Sequence, residues 1–257
     1  MKNSVFLVNE EPYCLWEDNI EAKNKFFLNS IDPEYYNFLY KAFKDNPQEQ
    51  LASVAIRTAL FQAAETFYAL LGAFIQAPNC VYAWISKYKN NELRHLIQKL
   101  NNNEDIFTIL NIKTASWKDI SEAIFSPYST NNEDNNKIAY LFANFWKRLS
   151  IELFLDEKFI DEYNSLKHGL RVRHGGFSLS IARQSTQDQR IEDSKFVPLG
   201  SSKYGTTFFK IKDLKYSIEE KGDRGIYSEK VSLNWSHEQN MQLLLHYICQ
   251  FTILFLY

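Results

Sequence analysis

Asp161-Glu-Tyr-Asn-Ser-Leu-Lys-His-Gly-Leu-Arg-Val-Arg-His-Gly-Gly176 is the stretch in which the chain changes period. Upstream of its glycines, Ile138, Leu141, Phe142, Phe145, Leu149, Leu153, Phe159, Ile160, Tyr163 and Leu166 recur at three-and-four spacing. That spacing predicts a helical face over roughly eight turns, broken near Asp156 and Glu157. Gly169 stands where a helix takes a C-cap glycine. Beyond it, Phe177-Ser-Leu-Ser-Ile-Ala-Arg183 alternates, 206–212 is β-branched and aromatic, and Lys230-Val-Ser-Leu-Asn-Trp235 alternates again. Turns at Gly200, Gly205, Gly222 and Gly225 separate these runs, which predict three strands in an antiparallel meander over 177–235.

Working outward, 48–76 is nearly free of helix breakers and carries Ile56, Leu60, Ala63, Phe67, Leu70 and Phe74 on one face. A second stripe of Leu51, Ala55, Phe61, Tyr68, Leu71 and Ile75 leaves a narrow polar strip, as in a helix packed on most sides. Pro78-Asn79 opens a second helix to about Leu100, and Ser116 or Thr114 caps a third that carries Trp117, Ile120 and Ile124. The Asn-rich run 131–136 reads as an exposed loop, and 1–47, with Asp32-Pro33 and Asn46-Pro47, as a covering arm of short helices and loops. Ser236, with Gln239 three residues on, opens a final helix. The expected fold is mainly α: one domain over 1–257, made of the arm 1–47, a helical bundle 48–176, the meander 177–235 and the helix 236–257. No β-α-β alternation suggests a parallel sheet.

Composition narrows the function classes. With 45% hydrophobic residues, 20 Phe and 15 Tyr against 8 Gly, the chain has material for a large core. Twenty-nine basic and 31 acidic residues give a net charge of −2, so any attraction to nucleic acid must be local. Cys14, Cys80 and Cys249 are odd in number and far apart, which predicts buried reduced thiols rather than disulfides or a zinc site. The apolar run Val5 to Val8 is too short for a signal-peptide core, and 241–257 contains His246 and Gln250 and is short for a bilayer span. A cytoplasmic protein with no membrane partner is expected. Motifs of nucleotide binding, serine hydrolysis and zinc proteolysis are absent, and no cofactor or metal is implied.

The local attraction lies in the opening stretch. From Tyr163 through Gln187, 25 residues contain no Asp or Glu, whereas Lys167, Arg171, Arg173 and Arg183 are basic. Lys167, Arg171, Arg173 and His174 are candidate phosphate-binding residues, with loop amides around Gly175-Gly176 as further donors. Asn164 and His168, four apart, share a helical face with Asp161. A purely structural reading competes, because cations at a helix C-terminus interact favourably with its dipole by about 0.3 to 1 kcal/mol each.

A long bundle helix ending in Tyr163-Asn164-x-x-x-His168-Gly169 resembles the signature helix of the HEPN superfamily, all-α domains of prokaryotic toxins, defence proteins and RNA-processing factors. The resemblance covers 48–173. It implies a helical bundle, a homodimer, and a metal-independent ribonuclease site in which an Arg is followed by four to six residues and then the His. Asn164, His168 and Gly169 match that pattern, but Asp161, Glu162 and Tyr163 occupy the positions of the Arg. The expectation is therefore a domain that binds RNA or nucleotide phosphate with little or no catalysis. Two alternatives remain open: a protein-interaction module whose dimer seam is the Leu243, Leu244, Tyr247, Ile248, Phe251, Leu254 and Phe255 face, and a ribonuclease with His168 as acid or base and Asn164 orienting it.

Overall fold

The computed structural model describes residues 2–46, 50–106, 115–125, 132–175, 178–182, 197–217 and 224–255. Pro47, Gln48, Thr114, Gly176, Phe177, Arg183 and Gly222 lie outside these residues. The fold is mainly α with small antiparallel sheets. Its residues gather into two compact units, one of 1–38, 61–160 and 245–257, the other of 39–60 and 161–244.

The first unit opens with a feature that the covering-arm reading misses. Strands β1 (Lys2–Val8) and β2 (Glu11–Glu17) form an antiparallel hairpin in which Val8 faces Glu11 across the two-residue connection Asn9-Glu10. Asn9 takes φ 55, a left-handed conformation that Asn tolerates better than most side chains. Gln76 then fastens the turn: the Asn9 N–H donates to Gln76 Oε1 at 2.9 Å, and Gln76 Nε2 donates to the Asn9 carbonyl at 2.9 Å. The short helices α1 (Ile20–Ser30) and α2 (Glu34–Lys44) follow as expected.

Helix α3 (Gln50–Gln76) is the long apolar element. By length and composition it could cross a membrane, yet 67% of its most apolar stretch is buried inside the protein. The helix expected from Pro78 is in fact two, α4 (Val81–Lys87) and α5 (Asn90–Asn102), because Tyr88 turns to extended backbone between them. Ser116 caps α6 (Trp117–Phe125) reciprocally: its amide donates to Asp119 Oδ2 and its hydroxyl accepts from the Asp119 amide. Of the Asn-rich run read as a loop, 131 lies outside the described residues and 132–136 form the first turn of α7 (Asn132–Ser150). A π-helical turn (Ile151–Leu155) and the extended Asp156 then separate α7 from α8 (Glu157–Lys167), at the break the periodicity indicated.

Aromatic rings fill the core of this unit. Phe67 lies 5.4 Å from the Trp146 ring, 5.6 Å from Tyr247 and 6.2 Å from Phe251, the last two on α9 (His237–Phe255). The buried Tyr68 hydroxyl donates to the Trp146 carbonyl at 2.7 Å. Each such ring removes enough apolar area from water to contribute about 1.5 to 3 kcal/mol. Leu244, Tyr247, Ile248 and Phe251 are 0 to 8% exposed, so much of the face read as a dimer seam is internal. Cys80 is buried, but Cys14 and Cys249 are exposed, against the expectation of three buried thiols.

The second unit takes in 50–60 of α3, 161–167 of α8 and 237–244 of α9, with the two sheets that lie between 173 and 234. The antiparallel strands expected over 177–235 are present, and they pair in two sheets. Strand β4 (Ser178–Ile181) pairs with β5 (Val197–Ser201) in a separate hairpin. The long pair β6 (Gly205–Ser217) and β7 (Arg224–Asn234) takes as its third strand β3 (Arg173–His174), giving the order β3-β6-β7. Alternation identifies strands but not their partners, which depend on loop lengths and burial.

Gly72 in α3 packs against indole: a Cβ there would lie 2.9 Å from the outer edge of Trp84 and 3.0 Å from Leu96 Cδ2. Trp84 is fully buried and cannot swing aside. Gly72→Ala is therefore expected to destabilise the protein by about 1 to 3 kcal/mol, outweighing the helix-propensity gain of Ala. Urea unfolding followed by tryptophan fluorescence measures it.

Candidate functional site

The second unit is organised by one buried carboxylate. Glu162, on the inward side of α8, is fully buried and faces Arg57 of α3, 2% exposed. Arg57 Nη2 donates to Glu162 Oε2 at 2.9 Å and Nε at 3.3 Å. The other carboxylate oxygen accepts from Thr206 Oγ1 at 2.5 Å and from the Trp235 indole N–H at 3.0 Å. Arg57 Nη1 completes its set on Asn240 Oδ1 at 3.0 Å, with the Trp235 ring 5.8 Å from its Cζ. One helix turn back on α3, the Ser53 hydroxyl lies 2.8 Å from His237 Nδ1, and the Tyr204 ring packs 5.5 Å from the imidazole. His237 Nε2 and Asn240 Nδ2 are buried without a partner among the described residues. Burial lowers the His237 pKa, and the neighbouring Glu238 offsets part of that shift.

The signature residues sit at the outer end of the same helix. Asn164 is half-buried, and His168, just past the last residue of α8, is exposed. The His168 N–H closes the final turn on the Asn164 carbonyl at 3.0 Å. Lys167 is exposed, with its Nζ 5.2 Å from the centre of the Tyr163 ring. Gly169 takes φ 92, as the C-cap reading requires, and Leu170 follows at φ 50, a conformation that costs a non-glycine residue about 1 to 2 kcal/mol. The turn holds because the Arg171 N–H returns to the Ser165 carbonyl at 2.7 Å.

Strand alternation divides the residues read as one cluster. Arg173 pairs with Thr207 and His174 with Thr206, so the two side chains leave opposite faces of the sheet. His174 is exposed, its Nδ1 3.1 Å from Gln50 Oε1. Arg171 and Arg173 stay exposed. Asp161, which shares a helix with Asn164, is taken by Lys210 Nζ at 2.6 Å. Among the described residues no hydrogen bond or ion pair is made by the side chains of Asn164 and His168, and no arginine joins them. Arg57 is engaged by Glu162. A cavity of about 890 Å3 beside α1 and one of about 370 Å3 between the hairpin and α4 belong to the other unit, and neither is lined by Asn164, His168 or Arg173. Among the described residues no three His, Cys, Asp or Glu side chains group to hold a metal ion.

Sequence reading missed the hub altogether, since Arg57 and Glu162 are 105 residues apart. It also missed the solvent face of β6. The alternation of 206–212 carried that signal, because it places Phe209 and Ile211 together on the side away from Thr206 and Phe208.

Two outcomes follow from the buried network. Arg57→Met strands a carboxylate that keeps only its two remaining donors, and should cost about 3 to 5 kcal/mol in urea unfolding. Adding Glu162→Gln, which still accepts from Thr206 and Trp235, should recover much of that loss. His237 titrates lower in the folded protein than the usual value near 6.5, so the unfolded state binds the proton first. Its contribution to stability is complete above about pH 6.5 and is lost as the pH falls from there through the folded value. Unfolding free energies measured between pH 7 and 5 should show this slope, and His237→Gln should flatten it. Comparison with protein-family models, with curated proteins and with solved structures finds no match.

Proposed function

We propose that the unit of 39–60 and 161–244 binds RNA through the phosphates, using Lys167, Arg171 and Arg173, and does not cleave it. The observation that carries this reading is electrostatic. Asp161 and Glu162, the acidic residues immediately upstream, are each neutralised by a cation from outside the run, Lys210 and Arg57. Among the described residues Arg171 and Arg173 make no ion pair, and both are exposed, Arg171 on the hydrogen-bonded turn and Arg173 on β3. The resemblance of Asn164, His168 and Gly169 to the HEPN signature supports an RNA-associated role. The lack of an arginine at 161, 162 or 163 argues against turnover, since one missing charge donor typically costs on the order of 10² to 10³ in rate. The proposal includes a homodimer, which sedimentation at micromolar concentration tests against a single species near the chain mass of 30.2 kDa.

Phosphate recognition has a measurable signature. Binding of single-stranded RNA should weaken steeply with salt, and replacing Arg171 and Arg173 together by Ala should make the log-log salt slope shallower by about 1.4, the loss of two single-strand phosphate contacts. His168→Ala should leave affinity nearly unchanged. Incubation with mixed RNA in chelator should give no products. Cleavage that disappears in His168→Ala would establish the ribonuclease alternative instead, and salt-independent binding would sink the phosphate reading.

A further inference from the structure

The three-stranded sheet has a face on which large apolar side chains are exposed among the described residues. Residues paired in an antiparallel ladder share a face, so Arg173, Thr207 and Ser232 form one row and Phe209 with Lys230 the next. Ile211 with Ser228 and Asp213 with Ile226 follow. Phe209 is 67% exposed, Ile211 59% and Ile226 60%. The opposite face is different in kind: Thr206 and Phe208 are buried, and Lys210 and Lys212 are held by Asp161 and Glu229. Strand β3 is only two residues long and has no ladder partner for Phe209, so the ring stands at an open edge of the sheet.

We infer that this face is a base-stacking platform and that the ligand is single-stranded RNA, with an unpaired base lying on Phe209 between the cations Arg173 and Lys230. The inference rests on the phosphate-binding reading above and adds to it the kind of strand that fits. Lys230 lies directly across from Phe209, at about 5 Å between Cβ atoms, and Arg173 lies on a neighbouring row about 7 Å along the strand. Among the described residues neither cation makes an ion pair. Among the described residues the acid on the face is Asp213, four residues further along β6 and about 13 Å away. An exposed aromatic ring flanked on both sides by cations suits a strand that alternates π-faces with phosphates. A duplex, whose bases are stacked on each other, has no base to offer the ring. The Thr207 and Ser232 hydroxyls, 2.8 Å apart, add polar groups beside Arg173 able to meet a sugar or phosphate oxygen.

Fluorescence anisotropy of the full chain with labelled oligo(U), with a duplex of equal length and with an abasic oligonucleotide tests this. Phe209 is exposed, so its replacement leaves the core intact, which thermal unfolding checks. Phe209→Ala should weaken oligo(U) binding by about 10- to 100-fold without changing the salt slope, and Phe209→Tyr should restore it. The abasic strand should bind weakly and be indifferent to Phe209→Ala, and the duplex should bind no better than the abasic strand. If the wild type binds oligo(U) with a salt slope that Arg171→Ala and Arg173→Ala flatten, yet Phe209→Ala binds as tightly, stacking is wrong and phosphate binding stands. Absence of binding to any of the three at low salt overturns both. A dimer that Phe209→Ser converts to monomer would assign the face to a second copy of the chain and overturn the platform.

Discussion

The Glu162 carboxylate is the constraint around which the second unit is arranged. Taking such a group fully out of water costs several kcal/mol unless its lone pairs are met, and here four donors from Arg57, Thr206 and Trp235 meet them. Those donors come from a helix, a strand and the segment leading into another helix. Satisfying one carboxylate therefore fixes the register of α3, β6 and the start of α9 against α8. An apolar residue at 162 could contribute comparable stability, but it would accept several sliding arrangements where the carboxylate accepts few.

The hub also shapes the surface that it never touches. Glu162 is neutralised from inside by Arg57, and Asp161 by Lys210, at the helix that ends in the basic turn. The helix dipole places its negative end at the same point, which stabilises Lys167 and the arginines beyond it when no ligand is present. The structural account of these cations and the ligand-binding account are thus compatible. On the proposed reading, a phosphate would meet a turn whose backbone is already held by the bond from the Arg171 N–H to the Ser165 carbonyl.

Local patterns in the sequence were sufficient wherever the physics was local. The three-and-four spacing of Ile56, Leu60, Ala63 and Phe67 gave α3, Gly169 gave the end of α8, and Ser116 and Ser236 gave helix starts, with the Ser236 hydroxyl accepting from the Gln239 amide at 3.1 Å. The hairpin of β1 and β2 was not legible, because its turn residue Asn9 is secured by Gln76, 67 residues away. The split of Arg173 from His174 needed the knowledge that β3 pairs with β6, which alternation alone does not supply. Nothing local to Arg57 or to Glu162 marks the other as its partner, since 105 residues separate them.

The length of the chain between those partners bears on how the protein is made. Arg57 and Asn240 are 183 residues apart, Ser53 and His237 184, and Trp146 and Gln250 104. Both units thus draw closing contacts from α9, although α3 leaves the ribosome long before it. At synthesis rates of about 5 to 20 residues per second, α3 waits roughly 10 to 40 s with its apolar stripes and its guanidinium unmatched. During that interval the most hydrophobic helix of the nascent chain is a target for chaperones and for aggregation. Slow translation after residue 76 would lengthen the exposure rather than relieve it.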